Sequence, residues 1–228
     1  MSGFSGDQLL SLYANGKETD ARTRRALLTQ SSLQHVSAED RKAQTLGDVD
    51  RALCQQLEQL TESAESLDLM CTCPSCGETL EFQLPQQALQ TMAKPPAHRQ
   101  SVSVVFEEAS YEMRLPCLGD ITSGGLDLIS LCPDAPWDSA AFRSAAEAAL
   151  AEADPMLHPT LALTCVLCDA QISTNLDMAA LLWQQVENVA RPLVQDVIAL
   201  SQGLGWTEQE IVAMSPARRR LYLAELGA

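Results

Sequence analysis

Basic side chains are scarce in this sequence. Fifteen lysines and arginines stand against thirty aspartates and glutamates in 228 residues, which leaves a formal net charge of −15. A field of that sign repels the phosphate backbone of nucleic acids. The one dense basic cluster, Arg218 to Arg220, is small. The composition therefore argues against a nucleic-acid-binding protein, including a zinc ribbon that binds nucleic acid.

Histidine is scarce too, and no residue pattern typical of an active site is present. His35, His98 and His158 are scattered, and none falls at metal-ligand or catalytic-triad spacing from another candidate. The segment "GDITSGG" contains glycines but lacks the lysine and the spacing of a phosphate-binding loop. Because nothing combines a nucleophile, a base and an oxyanion site, the sequence predicts a protein that is not an enzyme.

Long apolar runs are also missing. No stretch approaches the ~18 consecutive apolar residues of a membrane-spanning helix. The first twenty residues lack the basic segment and apolar core of a secretory signal. We therefore expect a cytoplasmic protein with no membrane partner. Eight cysteines in such a chain indicate reduced thiols and metal ligation rather than disulfides.

The chain does contain enough apolar residues, 46%, for a sizeable core. Hydrophobic periodicity predicts an α+β fold with three regions. The first is a helical N-terminal region (1–66). The second is a small β core with a split four-cysteine zinc ribbon and inserted strands and helix (67–175). The third is a long C-terminal helix followed by a short helical hairpin (176–228).

Local signals place the elements of the first two regions. Four helices are predicted: "GDQLLSLYANG" ended by Gly16, "TDARTRRALLTQ" capped by Thr19, "SAEDRKAQ", and a fourth from Asp48 to Glu65. Alternating or short apolar runs predict strands in "SLDLMCT", "TLEFQL", "SVSVVF", "SYEMRL" and "TLALTCVLCDAQIST". An alanine-rich helix is expected to begin after an N-cap at Asp138.

The C-terminal region is predicted to be helical throughout. Its long helix runs from Asn175 or Asp177 to about Gln202. Pro192 lies within it and is expected to kink it. Two glycines end it, Gly203 and Gly205. Two short capped helices follow, with the capping residues Thr207, Glu210, Ser215 and Pro216.

Two C-x-x-C motifs indicate the clearest chemistry in the chain. Each is typical of a zinc knuckle, a tight turn whose backbone amides point at two thiolates. The residue after the second cysteine often needs a positive φ, which Gly77 adopts without strain and Asp169 tolerates. Four thiolates around one ion form a closed, structural site with no open position for a substrate. The predicted ligands of one structural Zn²⁺ are Cys73, Cys76, Cys165 and Cys168.

The separation of the motifs is unusual. Eighty-eight residues, 77 to 164, lie between them, against ~15–20 in a compact zinc ribbon. A redox dithiol and metal-free structural thiols are the alternatives. A redox C-x-x-C lies at a helix N-terminus, whereas strand-like sequence follows both motifs here. Cys71 is a candidate substitute ligand. The remaining cysteines are interpreted as small buried apolar residues: Cys54, Cys117 and Cys132.

The C-terminal helical hairpin carries aromatic and basic side chains. In one interpretation it packs on the long helix and leaves its arginines in solvent. In the other it docks against another protein. The candidate partner-binding residues are Trp206, Arg218, Arg219 and Tyr222.

The order of several segments resembles a known family. These are "CPSCGETLEF", "RLP", "AAEAALAEADP", "LALTC" with its C-x-x-C, "LLWQQV" and "GWTEQEIVAMSPARRRLYLAEL". Nearly the whole chain resembles the baseplate hub assembly chaperone family of T-even-type contractile phage tails and related contractile injection systems. The sequence departs from that pattern at Asp169 and at Pro192. The residues that match its C-terminal signature are Trp183, Trp206, Glu210, Ser215, Pro216, Arg218, Arg219 and Tyr222.

The resemblance implies a non-enzymatic assembly chaperone. Its partners would be baseplate hub or spike proteins of a contractile particle, and zinc would have a structural role. A structural baseplate component that stays in the finished particle is one alternative. A zinc-ribbon module for another protein and a dithiol oxidoreductase are the others, and the oligomeric state is left open.

Overall fold

The elements of the fold follow from a computed structural model that describes residues 3–61, 64–95, 101–122 and 125–227. The helices are α1 (Gly6–Gly16), α2 (Ala21–Ser32), α3 (Ala38–Ala43), α4 (Leu46–Leu60), α5 (Gln86–Met92), α6 (Ala140–Ala153), α7 (Met178–Leu204), α8 (Glu208–Val212) and α9 (Pro216–Leu226). The strands are β1 (Ser66–Thr72), β2 (Thr79–Pro85), β3 (Ser101–Phe106), β4 (Ala109–Arg114), β5 (Ile121–Thr122), β6 (Gly125–Leu126), β7 (Thr160–Thr164) and β8 (Gln171–Asn175). Two short 3₁₀ turns are Leu118–Asp120 and Pro155–Leu157.

Each described strand pairs with its neighbour in sequence, which gives four antiparallel hairpins: β1–β2, β3–β4, β5–β6 and β7–β8. In the β3–β4 hairpin, the turn residues Glu107 and Glu108 have φ values of 47° and 69°. Two successive positive φ values are those of a type I′ turn, whose twist matches that of the flanking strands. Helices combined with small antiparallel sheets confirm the predicted α+β fold.

The main core forms around α7. Met178, Leu182 and Val186 are spaced by four residues, lie on one face of this helix and are fully buried. Helices α1, α2 and α4 pack against α7, and α4 contributes the fully buried Leu53 and Leu57. Fully burying side chains of this size stabilises the fold by about 1.5–3 kcal/mol each. The β1–β2 hairpin and α5 belong to the same core through Leu67, Leu69, Leu84 and Leu89.

Gly16 has a different role from the one predicted. It is the last residue of α1, but the helix is capped by Lys17 in right-handed conformation and Gly16 has no positive φ. A Cβ on Gly16 would lie 2.5 Å from the Trp183 ring. The glycine is therefore required by the close approach of α1 to α7, and not by the turn after α1.

A second core lies in the segment between the two cysteine motifs. Hairpin β3–β4 packs on α6 through Phe142, which is fully buried. Phe106, Tyr111 and Trp137 meet the Phe142 ring edge-on at centroid distances of 5.2 to 5.5 Å. Aromatic pairs in this geometry add about 0.5–1.5 kcal/mol beyond the area they bury. The inserted segment therefore has apolar packing of its own.

A buried ion pair connects the N-terminal helices to the end of α6. Arg51 of α4 donates from its two terminal nitrogens to the two carboxylate oxygens of Asp154, at 2.7 and 2.8 Å. Both side chains are buried. Asp154 also accepts from the Met156 N–H at 3.0 Å, and Asp48 accepts from Arg51 at 2.7 Å. Such a pair holds two elements in register because breaking it leaves an uncompensated buried charge.

Two predicted N-caps are wrong by one residue. The cap of α2 is Asp20, whose carboxylate accepts from the Thr23 N–H at 2.7 Å. The predicted cap, Thr19, instead donates its hydroxyl to the Gly16 carbonyl. The cap of α6 is Ser139 and not Asp138. In both places two capping residues are adjacent in sequence, and the one whose side chain reaches the third residue of the helix is the cap.

The predicted ends of the longer helices are partly right. Helix α4 begins at Leu46 after the N-cap Thr45, two residues before the prediction, and it ends at Leu60, five residues before the predicted Glu65. Helix α7 has Asp177 as its N-cap and runs as one helix through Pro192. Its last residue is Leu204 and its C-cap is Gly205, which has a φ of 70°, so this glycine has the predicted role. Gly203 lies inside the helix, where a Cβ would collide with Leu226 of α9.

None of the described helices combines the length and the apolar character that a bilayer crossing requires.

Candidate metal centre

The first cysteine motif forms the turn of the β1–β2 hairpin. Cys73 directly follows β1, its N–H donates to the Glu78 carbonyl at 2.8 Å, and its own carbonyl accepts from the Gly77 N–H at 2.9 Å. Gly77 has a φ of 76°. This left-handed residue turns the chain back into β2 without a steric penalty.

The second motif repeats this turn in the β7–β8 hairpin. The Cys165 N–H donates to the Ala170 carbonyl at 2.9 Å, and the Cys165 carbonyl accepts from the Asp169 N–H at 2.9 Å. Asp169 has a φ of 56°, a conformation that aspartate tolerates better than most residues. Positive φ at both positions was predicted from the sequence and is confirmed.

The two hairpins are related as a structural repeat. The last paired residues before the turns are Thr72 opposite Thr79, and Thr164 opposite Gln171. One position further along the second strand, Leu80 and Ile172 are both buried against Cys73 and Cys165. A small apolar cluster therefore supports the sulfur atoms from the protein side.

The four sulfur atoms of the two motifs lie together at the spacing of a metal site. Cys73 Sγ is 3.8 Å from Cys168 Sγ, and Cys76 Sγ is 3.8 Å from Cys165 Sγ. All four atoms lie within 4.8 Å of one another. A regular tetrahedron of thiolates ~2.3 Å from a central ion has edges of about 3.8 Å. The predicted cluster is confirmed, and its donor set fits a tetrahedral metal ion.

The same distances exclude disulfides in this conformation. A disulfide requires sulfur atoms about 2.05 Å apart, and all eight cysteines are free thiols. Both motifs lie in hairpin turns, whereas the reactive cysteine of a thioredoxin-like dithiol lies at a helix N-terminus. The geometry therefore favours metal ligation over dithiol redox chemistry.

Burial differs between the two cysteines of each motif. Cys73 and Cys165 are fully buried, while Cys76 and Cys168 are exposed. The centre thus lies at the surface of the protein, with the first cysteine of each pair facing the apolar cluster. An ion held by all four sulfurs has no position left for a substrate.

Hydrogen bonds and neighbouring thiols shift the acidity of the cluster in opposite directions. Backbone N–H groups of Cys76 and Ser75 point at Cys73 Sγ, and the first of them contributes most to lowering the pKa of Cys73 to about 7. At Cys168 the Ala170 N–H acts in the same sense, but the adjacent Cys165 thiol and burial raise the pKa to about 12. The cluster therefore contains thiols of unequal acidity, and hydrogen bonds with neighbouring thiols oppose the ionisation of Cys168. A bound cation removes that opposition.

The other cysteines lie outside the four-sulfur cluster. Cys71, the candidate substitute ligand, packs half-buried in the apolar cluster beneath it. Cys54 and Cys132 are buried as predicted, and burial raises the pKa of Cys54 to about 12. Cys117 differs from the prediction. It is half-buried, and its thiol lies 3.1 Å from a carboxylate oxygen of Asp120.

Asp120 is the centre of a polar cluster that sequence reasoning missed. Its carboxylate accepts from the two terminal nitrogens of Arg114 at 2.6 and 2.5 Å, and from the Cys117 N–H and the Ser130 hydroxyl. The Arg114 guanidinium is the main reason that the pKa of Asp120 lies far below its usual range. These contacts fasten the loop after β4, and no short-range pattern in the sequence indicates them.

The C-terminal candidates for partner binding separate into two groups. Trp206 and Tyr222 meet edge to face at 4.8 Å, and Arg218 lies 5.8 Å from the Tyr222 ring centre. Both rings are half-buried and Arg218 is exposed. Arg219 is buried, and it donates to Asp196 at 2.9 Å and to the Met214 carbonyl at 2.6 Å. Arg219 therefore fastens α9 to α7, and a docking role does not extend to it.

The histidines do not add to the metal site. His35 and His158 are exposed and lie outside the cysteine cluster. His98 falls outside the described residues.

The chain matches no protein-family model, no curated protein and no solved structure.

Proposed function

We propose that the four-cysteine centre binds one Zn²⁺ and that the ion has a structural role. The observation that carries this proposal is the spacing of the four sulfur atoms, which come from two hairpins eighty-eight residues apart in sequence. Thiolate donors in a tetrahedral set select Zn²⁺ or iron, and a site without an open position serves structure. Zn²⁺ has no redox chemistry, which suits a centre whose second cysteines are exposed to solvent.

Metal analysis of the purified full chain tests the choice of ion. We expect one zinc per chain and no absorption band in the visible region. One iron per chain, together with thiolate-to-iron absorption, would show that the bound ion is iron and not zinc. A chain purified without chelators that holds neither metal, and takes up none when zinc is added under reducing conditions, would refute the metal site.

We further propose that the protein is a non-enzymatic assembly factor whose clients are baseplate hub or spike subunits of a contractile particle. The segments that resemble the hub assembly chaperones support this client class. Three exposed or half-buried groups offer an aromatic and cationic docking surface: Arg218 over the Tyr222 ring on α9, and Trp206, between α7 and α8, beside Tyr222. Side chains of these types are enriched at the energetic centres of protein interfaces.

Co-expression with candidate hub and spike subunits tests this role. We expect a client to co-purify with the full chain and to be lost when Trp206 and Tyr222 are both replaced by alanine. The matched control is Leu221→Ala, because Leu221 is an exposed apolar residue next to Tyr222 on α9. Normal particle assembly without this chain, together with no co-purifying client, would refute the proposal.

The rival role, a component retained in the particle, predicts a different distribution of the protein. An assembly factor is released, so mass spectrometry of purified particles should detect it at far less than one copy per hub. A fixed whole-number ratio to the hub subunit would identify a structural component instead.

A further inference from the structure

A basic groove lies between α2 and α3, in a region separate from the metal centre and from α8 and α9. Its third side is formed by the 3₁₀ turn at 118–120 and the start of β5. The groove has a volume of about 570 Å³. The side chains that matter for its chemistry are Arg22, Arg25, Arg41, Lys42, Leu118 and Ile121.

The charge of this groove is opposite to that of the whole chain. Four of the fifteen basic residues line it, and no carboxylate is among its lining residues. The whole chain has a net charge of −15, so a groove lined by basic side chains differs in sign from the protein as a whole. Both walls of the groove supply basic side chains: Arg22 and Arg25 lie on α2, and Arg41 and Lys42 lie on α3.

One cation of the groove, Arg25, is held in place by two carboxylates that are not part of the lining. Arg25 forms an ion pair with Asp50 of α4, and its other terminal nitrogen lies 3.8 Å from Asp177 at the start of α7. Asp50 is buried. Arg25 is therefore positioned by the core, whereas Lys42 is exposed and Arg41 half-buried on the opposite wall.

Apolar side chains form part of the remaining lining, beside the polar Thr29 and Gln30. Ile121 is 41% exposed, and Leu118 is half-buried beside it. An isolated inorganic anion gains nothing from these side chains. A ligand that carries both carboxylates and an apolar side chain uses the cations as well as the apolar groups, since it pairs with the basic side chains and removes Ile121 from water.

We propose that this groove binds an acidic segment of another protein chain, one that combines glutamates or aspartates with an apolar residue. A short segment lies close to Arg41 and Lys42 on the α3 wall, while Arg25 is already paired with Asp50 and Asp177. The screening length of about 8 Å at physiological salt weakens the repulsion of such a segment by the more distant negative charges of the chain. A long polyanion such as a nucleic acid extends beyond the groove and is repelled by the rest of the chain. The proposal adds a second interaction surface and does not depend on the identity of the metal.

Fluorescence anisotropy with a labelled peptide of sequence EELEELEE tests the proposal on the full chain. We expect binding at about 0.1 M salt that weakens strongly at about 1 M, where the screening length falls from about 10 Å to about 3 Å. Reversing two charges with Arg41→Glu and Lys42→Glu should weaken binding on the order of 10-fold or more. The matched control is Lys94→Glu, because Lys94 is an exposed cation outside the groove, and it should leave the affinity unchanged.

Further arms separate the proposed ligand from other anions. Inorganic phosphate at the same ionic strength as a chloride control should not displace the peptide, and an oligonucleotide of equal charge should bind more weakly. Circular dichroism checks that the double variant is folded. If the double variant does not fold, the single variant Lys42→Gln takes its place and should weaken binding about 2- to 5-fold. Absence of peptide binding at low salt, equal affinity in the groove variants, displacement by phosphate, or tighter binding of the oligonucleotide would each overturn the proposal.

Discussion

Replacing an exposed cysteine of the centre separates the contribution of the metal from that of packing. Cys76 is exposed, so Cys76→Ser leaves no cavity in the core and removes little apolar area from the folded state. Its sulfur lies 3.8 Å from Cys165 Sγ, within the proposed ligand set. Serine keeps the size of the side chain but replaces the soft thiolate that zinc prefers. We expect the variant to fold and to lose tightly bound zinc.

The size of the effect follows from mass action. An ion that binds only the folded chain stabilises it by about 2.7 kcal/mol when free zinc is 100 times its dissociation constant, and by about 4.1 kcal/mol at 1,000 times. For a chain of 228 residues, 1 kcal/mol shifts the melting temperature by about 2–4 °C. Removal of the zinc contribution should therefore lower the melting temperature by roughly 5–16 °C. Each tenfold increase in free zinc should raise that of the unmodified chain by about 3–6 °C.

Thermal unfolding in metal-buffered solution measures both quantities. Cys71→Ser is the matched control, because Cys71 is a half-buried cysteine two residues from Cys73 that lies outside the cluster. This control should keep one zinc per chain and the full dependence on free zinc. Cys168→Ser should behave like Cys76→Ser, since both sulfurs are exposed members of the same set.

Three results would contradict this reasoning. The first is a Cys76→Ser chain that keeps one tightly bound zinc. The second is a Cys71→Ser chain that loses it, which would make Cys71 a ligand. The third is a melting temperature of the unmodified chain that does not change with free zinc.

Three further predictions concern the helical framework. Arg51→Met should lower the free energy of unfolding in urea by about 3–5 kcal/mol, because it leaves the Asp154 carboxylate buried without its partner, and adding Asp154→Asn should recover part of that loss. Gly16→Ala should destabilise the chain by about 1–2 kcal/mol in the same assay and shift the fluorescence of Trp183, since the new Cβ would lie 2.5 Å from the indole ring. Burial raises the pKa of Asp50 to about 6 against 3.8 in the unfolded chain, so its contribution to stability is fully present below pH 3.8 and is lost as the pH rises through 6. Asp50→Asn should remove that part of the pH dependence of unfolding, and an unchanged profile would contradict the raised pKa.

The parts of the fold that the sequence predicts correctly depend on residues close together in the chain. The cysteine motifs, the positive φ at Gly77 and Asp169, and the capping box of Thr207 with Glu210 are set within a few residues. Strand alternation in "SLDLMCT" and "TLEFQL" gave both strands of the first hairpin within one residue. Short-range physics decides these features, so a short-range pattern reveals them.

Helix α5 shows why other elements were missed. Its N-cap, Pro85, has no side chain that can accept a hydrogen bond, and the segment "QQALQTM" is too short to show a helical period. Leu89 of this helix is fully buried in the main core. Tertiary packing therefore stabilises α5 more than its own sequence does, and such packing has no local signature.

Except for the cysteine cluster, the sites assembled from residues far apart in sequence could not be predicted from short-range patterns. The basic groove combines side chains at 22–42 with others at 118–121, and the Arg51–Asp154 pair joins residues 103 positions apart. No spacing rule connects them. The cysteine cluster is equally non-local, but the chemistry of a tetrahedral thiolate site requires two C-x-x-C pairs to meet, so the ligand set was predictable without knowledge of the fold.

The helices, rather than the ion, bring the two halves of the metal centre together. Hairpin β1–β2 begins soon after α4 ends, and hairpin β7–β8 leads into α7 through Leu176 and Asp177. Helices α4 and α7 pack against each other, so their docking places the two hairpins side by side. Either knuckle alone supplies two thiolates, and joining them across eighty-eight residues without the helices costs loop entropy that grows with the logarithm of the length. An ion bound at this centre would therefore stabilise an arrangement that the core already favours, and its occupancy would report whether the N-terminal and C-terminal parts of the chain have docked.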